Sequence, residues 1–92
     1  MSEQRRSVEV VNQRGLHARA SAKFVNAVAE LPEGCSVRVA KGEHEAAGGS
    51  ILGLMMLGAA KGDMIDIIVT GEDAEPVIEN LAAMVEDGFG EP

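Results

Sequence analysis

The chain has 92 residues, of which 46% are hydrophobic and 25% are charged, and its net charge is -7 at pH 7. This length predicts a single domain, residues 1–92, with its function at the surface, because so small a domain cannot enclose a deep site. The acidic balance argues against nucleic-acid binding. A single cysteine, Cys35, excludes an internal disulfide and favours a reducing compartment such as the cytoplasm.

Membrane insertion and export are not expected either. No apolar run approaches the ~20 residues that span a bilayer. The basic pair Arg5 and Arg6 is not followed by the apolar segment that a signal peptide requires. The sequence therefore predicts a cytoplasmic protein with no membrane segment.

Four segments show the signals of β-strands, either alternation of apolar and polar residues or a run of β-branched ones. The predicted strands are residues 7–10, 35–40, 44–47 and 64–70. The turn sequence Lys41-Gly42-Glu43 joins the middle two as a hairpin. Residues 1–6 are expected to form a flexible tail.

Three segments carry apolar residues at steps of three and four, the period of an amphipathic helix. The first helix begins at Ala18, and Ser50 and Asp73 are expected to cap the two later ones. Residues 88–92 are expected to form a second flexible tail. The order β-α-β-β-α-β-α predicts an α+β fold, a two-layer sandwich in which three helices cover one face of a sheet.

The segment Asn12 to Arg19 lies where the first strand ends and the first helix begins. A helix start usually carries Ser, Thr, Asp or Asn, whose side chain binds the free backbone N–H groups. Here that neighbourhood holds Gly15, Leu16 and His17 instead. If His17 occupies the cap position, the N–H groups stay available for an outside anion, and a phosphoryl group fits such a site.

Basic residues surround His17 inside an acidic protein. Residues 1–42 contain seven Lys or Arg against four Asp or Glu, whereas residues 43–92 contain one against eleven. The basic residues nearest to His17 in sequence are Arg14, Arg19 and Lys23. They are compatible with anion binding, but such a cluster is more often a solvated helix end, and a histidine at a helix start is more often a surface or capping residue.

His17 can supply the nucleophile for phosphoryl transfer. The helix dipole disfavours the charged imidazolium, so a neutral ring with a free lone pair is expected. Phosphoryl transfer needs mainly positioning and charge stabilisation, which Arg19 and the exposed amides can offer without a metal or cofactor. Because the sequence shows no second catalytic group and no metal-ligand spacing, we interpret the chain as a relay protein rather than an independent enzyme.

Two segments and two turns match a known pattern. The segments are Gly15 to Val25 (GLHARASAKFV) and Ser50 to Gly58 (SILGLMMLG), and the turns are Lys61-Gly62-Asp63 and Gly71-Glu72-Asp73-Ala74. Together they resemble the HPr family of histidine-containing phosphocarrier proteins, including its nitrogen-related NPr branch, over nearly the whole chain. The resemblance implies an open-faced sandwich of a four-stranded antiparallel sheet and three helices.

The resemblance also implies a role for individual residues. His17 would be phosphorylated on Nδ1 by Enzyme I, which draws the phosphoryl group from phosphoenolpyruvate, and an EIIA-type protein would accept it. Arg19 would steady the phosphoryl group. Many members have proline where this chain has Ala20, which leaves the branch, sugar transport or nitrogen-related regulation, open.

Ser50 and the helix after it have both a structural and a functional interpretation. By itself Ser50 is a helix cap that contributes about 1 kcal/mol, whereas the matching serine of the family is phosphorylated by an HPr kinase in some bacteria. A phosphate there would oppose binding of an acidic partner.

The helix after Ser50 holds more apolar residues than one face can bury, so a docking patch is expected. The expected docking residues are Ala20, Ile51, Leu52, Leu54 and Met55.

Two other functions are alternatives to the phosphocarrier. A regulatory docking module of the same fold, as in Crh-type relatives of HPr, would not need the nucleophile His17 beside Arg19. A ferredoxin-like metal or ligand sensor would require paired cysteines, which the chain lacks.

Cys35 is expected in the core and His44 at the surface. The protein is expected to be a monomer.

Overall fold

The computed structural model describes residues 2–91. Met1 and Pro92, the outer residues of the two predicted tails, lie outside the described residues. The strands are β1 (Ser2–Glu9), β2 (Ser36–Lys41), β3 (His44–Ala47) and β4 (Met64–Gly71). The helices are α1 (Ala18–Ala29), α2 (Ile51–Met56) and α3 (Ala74–Glu86), followed by a 3-10 turn at Gly88–Gly90. Within residues 2–91, no helix has the length and apolar character needed to cross a membrane.

The four strands form one antiparallel sheet in the order β1-β4-β2-β3. In the central strand β4, the side chains of Ile65, Ile67 and Val69 alternate toward the core, where each is at most 1% exposed. Helix α3 packs on β1 and β4, and α2 packs against α1 and β3. The predicted open-faced sandwich, with three helices on one face of the sheet, is confirmed.

On the opposite face of the sheet, charged side chains cover Ile68, which is fully buried. Arg5 of β1 and Arg38 of β2 flank it in register, so their aliphatic stems shield it while their charged groups reach solvent. Arg5 pairs with Asp66 at 2.9 Å and Arg38 with Glu3 at 2.9 Å. Charged side chains therefore bury Ile68 on this face of the sheet, where no helix covers it.

Both predicted tails are wrong for the residues that the structure describes. β1 begins at Ser2 and pairs with β4 along its whole length. Residues 2–6 are polar on both faces of the strand, which an edge strand permits. They therefore lack the alternation of apolar and polar residues from which a strand is predicted. At the other end Phe89 is 3% exposed and anchors the chain after α3 to the core.

The predicted cap of the last helix is also wrong. Asp73 does precede α3, but it adopts a left-handed backbone conformation with φ of 58° and makes no capping hydrogen bond through its side chain. The third helical residue is Pro76, which has no N–H group for a cap to bind. Proline in the first turn thus removes one of the donors on which the prediction relied.

Candidate phosphoacceptor site

His17 occupies the cap position of α1, which is the condition for the anion site expected from the sequence. Its backbone is extended, with φ of -74° and ψ of 178°, and its carbonyl accepts the N–H of Ser21 at 2.9 Å. The ring turns back over the helix end, so that Nδ1 accepts the N–H of Arg19 at 3.3 Å. One of the amides that the sequence left free for an anion is therefore held by the histidine itself, in a long and weak hydrogen bond.

The loop before His17 is held by hydrogen bonds to its backbone. The N–H of Leu16 donates to the carbonyl of Ala59 at 3.0 Å, which ties the loop to the segment after α2. The hydroxyl of Ser21 donates to the carbonyl of Leu16 at 3.2 Å from within the core. Because both sides of Leu16 are fixed in this way, the backbone that leads into His17 is held in place.

Asn12 joins this loop to the end of the chain. Its Nδ2 donates to the carbonyl of Gly15 at 2.8 Å and to Oε1 of Glu91 at 3.1 Å. These two acceptors determine the orientation of the amide, and they leave Oδ1 buried with no hydrogen-bond partner among residues 2–91. A buried hydrogen-bond acceptor without a partner lowers the stability of the folded protein. The two hydrogen bonds that Nδ2 donates therefore fix the orientation of the Asn12 amide.

Glu91 contacts the far side of the His17 ring. Its Oε2 lies 2.7 Å from Nε2 of His17, and the two side chains are only 12% and 13% exposed. The chain end is held in place by buried Phe89, whose carbonyl accepts Nζ of Lys23 at 2.7 Å. The hydrogen bond from Asn12, with smaller effects of His17 and Arg19, holds the pKa of Glu91 below its ordinary value against the opposing effect of desolvation.

These contacts assign the tautomer of the His17 ring. Nδ1 accepts a backbone N–H, so it carries a lone pair, and Nε2 faces a carboxylate oxygen, so it carries the proton. The lone pair of Nδ1 points at the N-terminus of α1, where backbone amides and the helix dipole favour negative charge. The arrangement can therefore present a nucleophilic nitrogen to an anionic group.

The predicted basic cluster is only partly assembled. Lys23 is turned toward the carbonyl of Phe89 and holds the chain end. Arg19 is exposed on the first turn of α1, and its charge contributes to the lowered pKa of Glu91. Arg14 is exposed in the loop. Of the three, only Arg19 is thus linked to the site by its charge, through its effect on Glu91.

Asn12 and Glu91 belong to the site and were not recognised as site residues from the sequence. Asn12 lies in the distinctive segment, but its role depends on a partner at the other end of the chain. Glu91 is 74 positions away from His17. No local pattern predicts such a contact, because it depends on how Phe89 packs against the core.

Helix α2 presents Ser50 and an apolar surface. Ser50 caps the helix as predicted, since its Oγ accepts the N–H of Gly53 at 2.9 Å. The exposed apolar residues of α2 are Ile51 (41%), Leu52 (68%), Met55 (41%) and Met56 (77%), here called the α2 patch. Two of the expected docking residues do not belong to it: Ala20 is 0% and Leu54 is 1% exposed, because their side chains face the core.

The remaining candidate residues lie elsewhere. Cys35 is partly buried against the core, and its Sγ donates to the carbonyl of Glu72 at 3.2 Å. His44 is exposed on β3, as expected. Among residues 2–91 there is no group of three or more His, Cys, Asp or Glu side chains that could hold a metal ion.

Several known proteins are similar to this chain in sequence and fold over almost their whole length. A family model described as "PTS HPr component phosphorylation site" matches residues 4–87. The phosphocarrier protein HPr of Neisseria meningitidis is 39% identical over 87 residues, covering 95% of this chain and 96% of the relative. The phosphocarrier protein NPr of Shewanella violacea is 33% identical over 91 residues, covering 99% and 98%. The crystal structure of HPr-C-His from Thermoanaerobacter tengcongensis has a TM-score of 0.86 at 33% identity, covering 100% and 99%.

Proposed function

This chain belongs to the HPr family of phosphocarrier proteins, and from that premise we propose that it accepts a phosphoryl group on Nδ1 of His17 and passes it to a second protein. The donor would be phosphorylated Enzyme I, which takes its phosphoryl group from phosphoenolpyruvate. The acceptor would be an EIIA-type protein. We expect the transfer to take place in the cytoplasm.

The orientation of the His17 ring is the observation that carries this proposal. In the transfer, the lone pair of Nδ1 attacks phosphorus, and the bond between phosphorus and the donor's leaving group breaks. The Arg19 N–H that Nδ1 now accepts at 3.3 Å is released at that moment and can donate to a phosphoryl oxygen. The positive end of α1 favours the negative charge that arrives.

Arg19 is proposed to steady the phosphoryl group. The residue is exposed on the first turn of α1, and its backbone N–H contacts the ring that would carry the group. Fork-like pairing with two phosphoryl oxygens is the contact for which this side chain is suited. Positioning and charge stabilisation are the main requirements of phosphoryl transfer, so no further catalytic group is required of this chain.

The α2 patch is proposed as the docking surface for both partners. It lies on a helix that packs against α1, and Leu16 and Ala59 tie the loop of His17 to the segment after α2. An apolar surface that includes two methionines adapts to more than one partner. A carrier that serves a donor and an acceptor in turn needs such a surface.

Ser50 is proposed as a regulatory site, phosphorylated by an HPr kinase where the cell has one. The residue begins the helix that carries the α2 patch, and its side chain is partly accessible. A phosphoserine there would place about two negative charges beside the docking surface. Transfer to His17 would then be slowed through weaker docking.

Phosphorylation by Enzyme I tests the proposed function. The protein is incubated with Enzyme I and phosphoenolpyruvate labelled in its phosphoryl group, and acid-labile label on the chain is measured. Wild type should be labelled and His17→Ala should not, while His44→Ala, which removes the exposed histidine of β3, should be labelled like wild type. Absence of label on wild type would instead favour a docking module that carries no phosphoryl group.

A further inference from the structure

The contact between Glu91 and the His17 ring is short and largely shielded from solvent, yet the proposed transfer does not require it. The carboxylate lies 2.7 Å from Nε2, on the side of the ring away from the nitrogen that would take the phosphoryl group. Asn12 holds its second oxygen at 3.1 Å. Because Asn12 also binds the Gly15 carbonyl, the carboxylate is connected directly to the loop that positions His17.

We propose that Glu91 is a positioning residue for phosphoryl transfer, which holds His17 with Nδ1 unprotonated and offsets the positive charge that forms on its ring. This inference rests on the proposed function of His17 as phosphoacceptor. It extends that function to a residue at the opposite end of the chain, in the segment that follows α3.

The charge balance of the transfer gives Glu91 this role. When the Nδ1 lone pair forms the bond to phosphorus, the electron pair of the broken bond leaves with the donor group. The proton on Nε2 stays where it is, so the neutral ring becomes a phosphorylated imidazolium with one positive charge. A carboxylate already hydrogen-bonded to that proton stabilises the product ring more than the free one.

The surroundings of Glu91 favour the ionised form of its carboxyl group. Arg19 from α1 is the cation near Glu91, and Lys23 from α1 holds the chain end through the carbonyl of Phe89. The charge of Arg19 favours an ionised Glu91. The carboxylate is thus available as a charge partner when the ring becomes positive.

Three variants distinguish the effect of the Glu91 charge, the effect of its contact with the ring, and the effect of removing any negative charge from this end of the chain. Glu91→Gln keeps an acceptor for Nε2 but removes the charge, and Glu91→Ala removes both. Glu86→Gln, at an exposed position near the end of α3, removes one negative charge away from the ring and serves as the matched control. The first readout is phosphorylation of His17 by potassium phosphoramidate, a reagent that needs no partner protein and releases ammonia as the phosphorus–nitrogen bond breaks.

The expected rates differ among the variants. Glu91→Ala should be phosphorylated roughly 3- to 10-fold more slowly than wild type, and Glu91→Gln should lie between them, whereas Glu86→Gln should match wild type. Unchanged or faster phosphorylation of both Glu91 variants would overturn the inference. A faster rate would show that the tail obstructs the histidine.

A second readout follows the ring itself. In nitrogen-15 NMR spectra of the unphosphorylated protein, His17 of wild type should show a protonated Nε2 and an unprotonated Nδ1, with exposed His44 as internal reference. Glu91→Ala should show a mixture of the two tautomers. Identical His17 signals in both proteins would contradict the positioning role. Neither readout uses Enzyme I, so the inference can fail while the proposed function stands, and the tautomer can still be tested if Enzyme I gives no label.

Discussion

Gly15 packs so closely against Ala59 that a Cβ atom added at Gly15 would overlap the carbonyl oxygen of Ala59. That carbonyl accepts the N–H of Leu16 at 3.0 Å. Gly15 also has a positive φ of 61°, which side chains rarely adopt. The turn that places His17 at the start of α1 therefore depends on the absence of a side chain two residues earlier.

Replacement of Gly15 by alanine should destabilise the protein by about 2–4 kcal/mol, because strained backbone and overlap with Ala59 both contribute. Urea unfolding measures this loss. Gly42→Ala is the matched control, since Gly42 has a φ of 60° and no atom within 4 Å of an added Cβ. The control should lose only about 1–2 kcal/mol, and equal losses in the two variants would contradict the close packing at Ala59.

Most of the fold can be predicted from local patterns, and the reasons are visible in particular elements. α1 begins at Ala18 because the period of apolar residues changes there, and the hairpin turns at Gly42 because glycine accepts a positive φ. The first residues of β1 were missed because their strand character comes from pairing with β4, which no local alternation records.

The site could be predicted only in part, for a similar reason. The Ser50 cap follows from short-range rules about helix ends. Those rules leave open whether His17 is reactive or only a capping residue, and its role is implied by the resemblance to HPr proteins. Glu91 depends on contacts between the two ends of the chain, and local sequence does not show those. Leu54 was expected at the surface because apolar excess alone does not say which side of a two-turn helix faces the core.

Changes at Ser50 should separate helix capping from regulation. Asn and Asp both cap helices well, so Ser50→Asn and Ser50→Asp should unfold at urea concentrations close to wild type, whereas Ser50→Ala should lose about 1 kcal/mol. Only Ser50→Asp adds negative charge beside the α2 patch. Its KM for phosphorylation by Enzyme I should rise roughly 3- to 10-fold. If Asp and Asn variants react equally fast, Ser50 has no regulatory role of this kind.

Polar substitution in the α2 patch should weaken docking without weakening the fold. Leu52→Asn and Met56→Gln change side chains that are 68% and 77% exposed, so each should alter the free energy of unfolding by no more than about 0.5 kcal/mol. Their KM values with Enzyme I should increase several-fold, while His17 should react with phosphoramidate at the wild-type rate. Met64→Gln, at a 53% exposed methionine of β4, is the control. The docking proposal fails if Leu52→Asn and Met56→Gln both keep the wild-type KM.

Acidification should destabilise the protein through three carboxyl groups. Hydrogen bonds from Ala60 and Lys41 lower the pKa of Asp63, and those from Ser7 and Arg5 lower that of Asp66, as Asn12 does for Glu91. A carboxyl whose pKa is lower in the folded state stabilises the fold above its ordinary pKa of about 4, and this contribution is lost as pH falls through the folded value.

The urea midpoint should therefore decrease as pH falls from about 5 to about 2. Asp66→Asn should show a smaller decrease than wild type, because it has one such group fewer. Glu75→Gln, at an exposed residue of α3 with no capping contact, should show the wild-type decrease. An identical pH dependence of wild type and Asp66→Asn would contradict the assignment at Asp66.

The ring atom that receives the phosphoryl group can be identified directly. The protein, labelled with nitrogen-15 in its histidine rings, is phosphorylated by Enzyme I and phosphoenolpyruvate, and coupling between nitrogen and phosphorus is measured by NMR. We predict coupling to Nδ1 of His17, with Nε2 of the same ring still protonated. Coupling to Nε2 of His17, or to either nitrogen of His44, would contradict the orientation of the ring between Arg19 and Glu91.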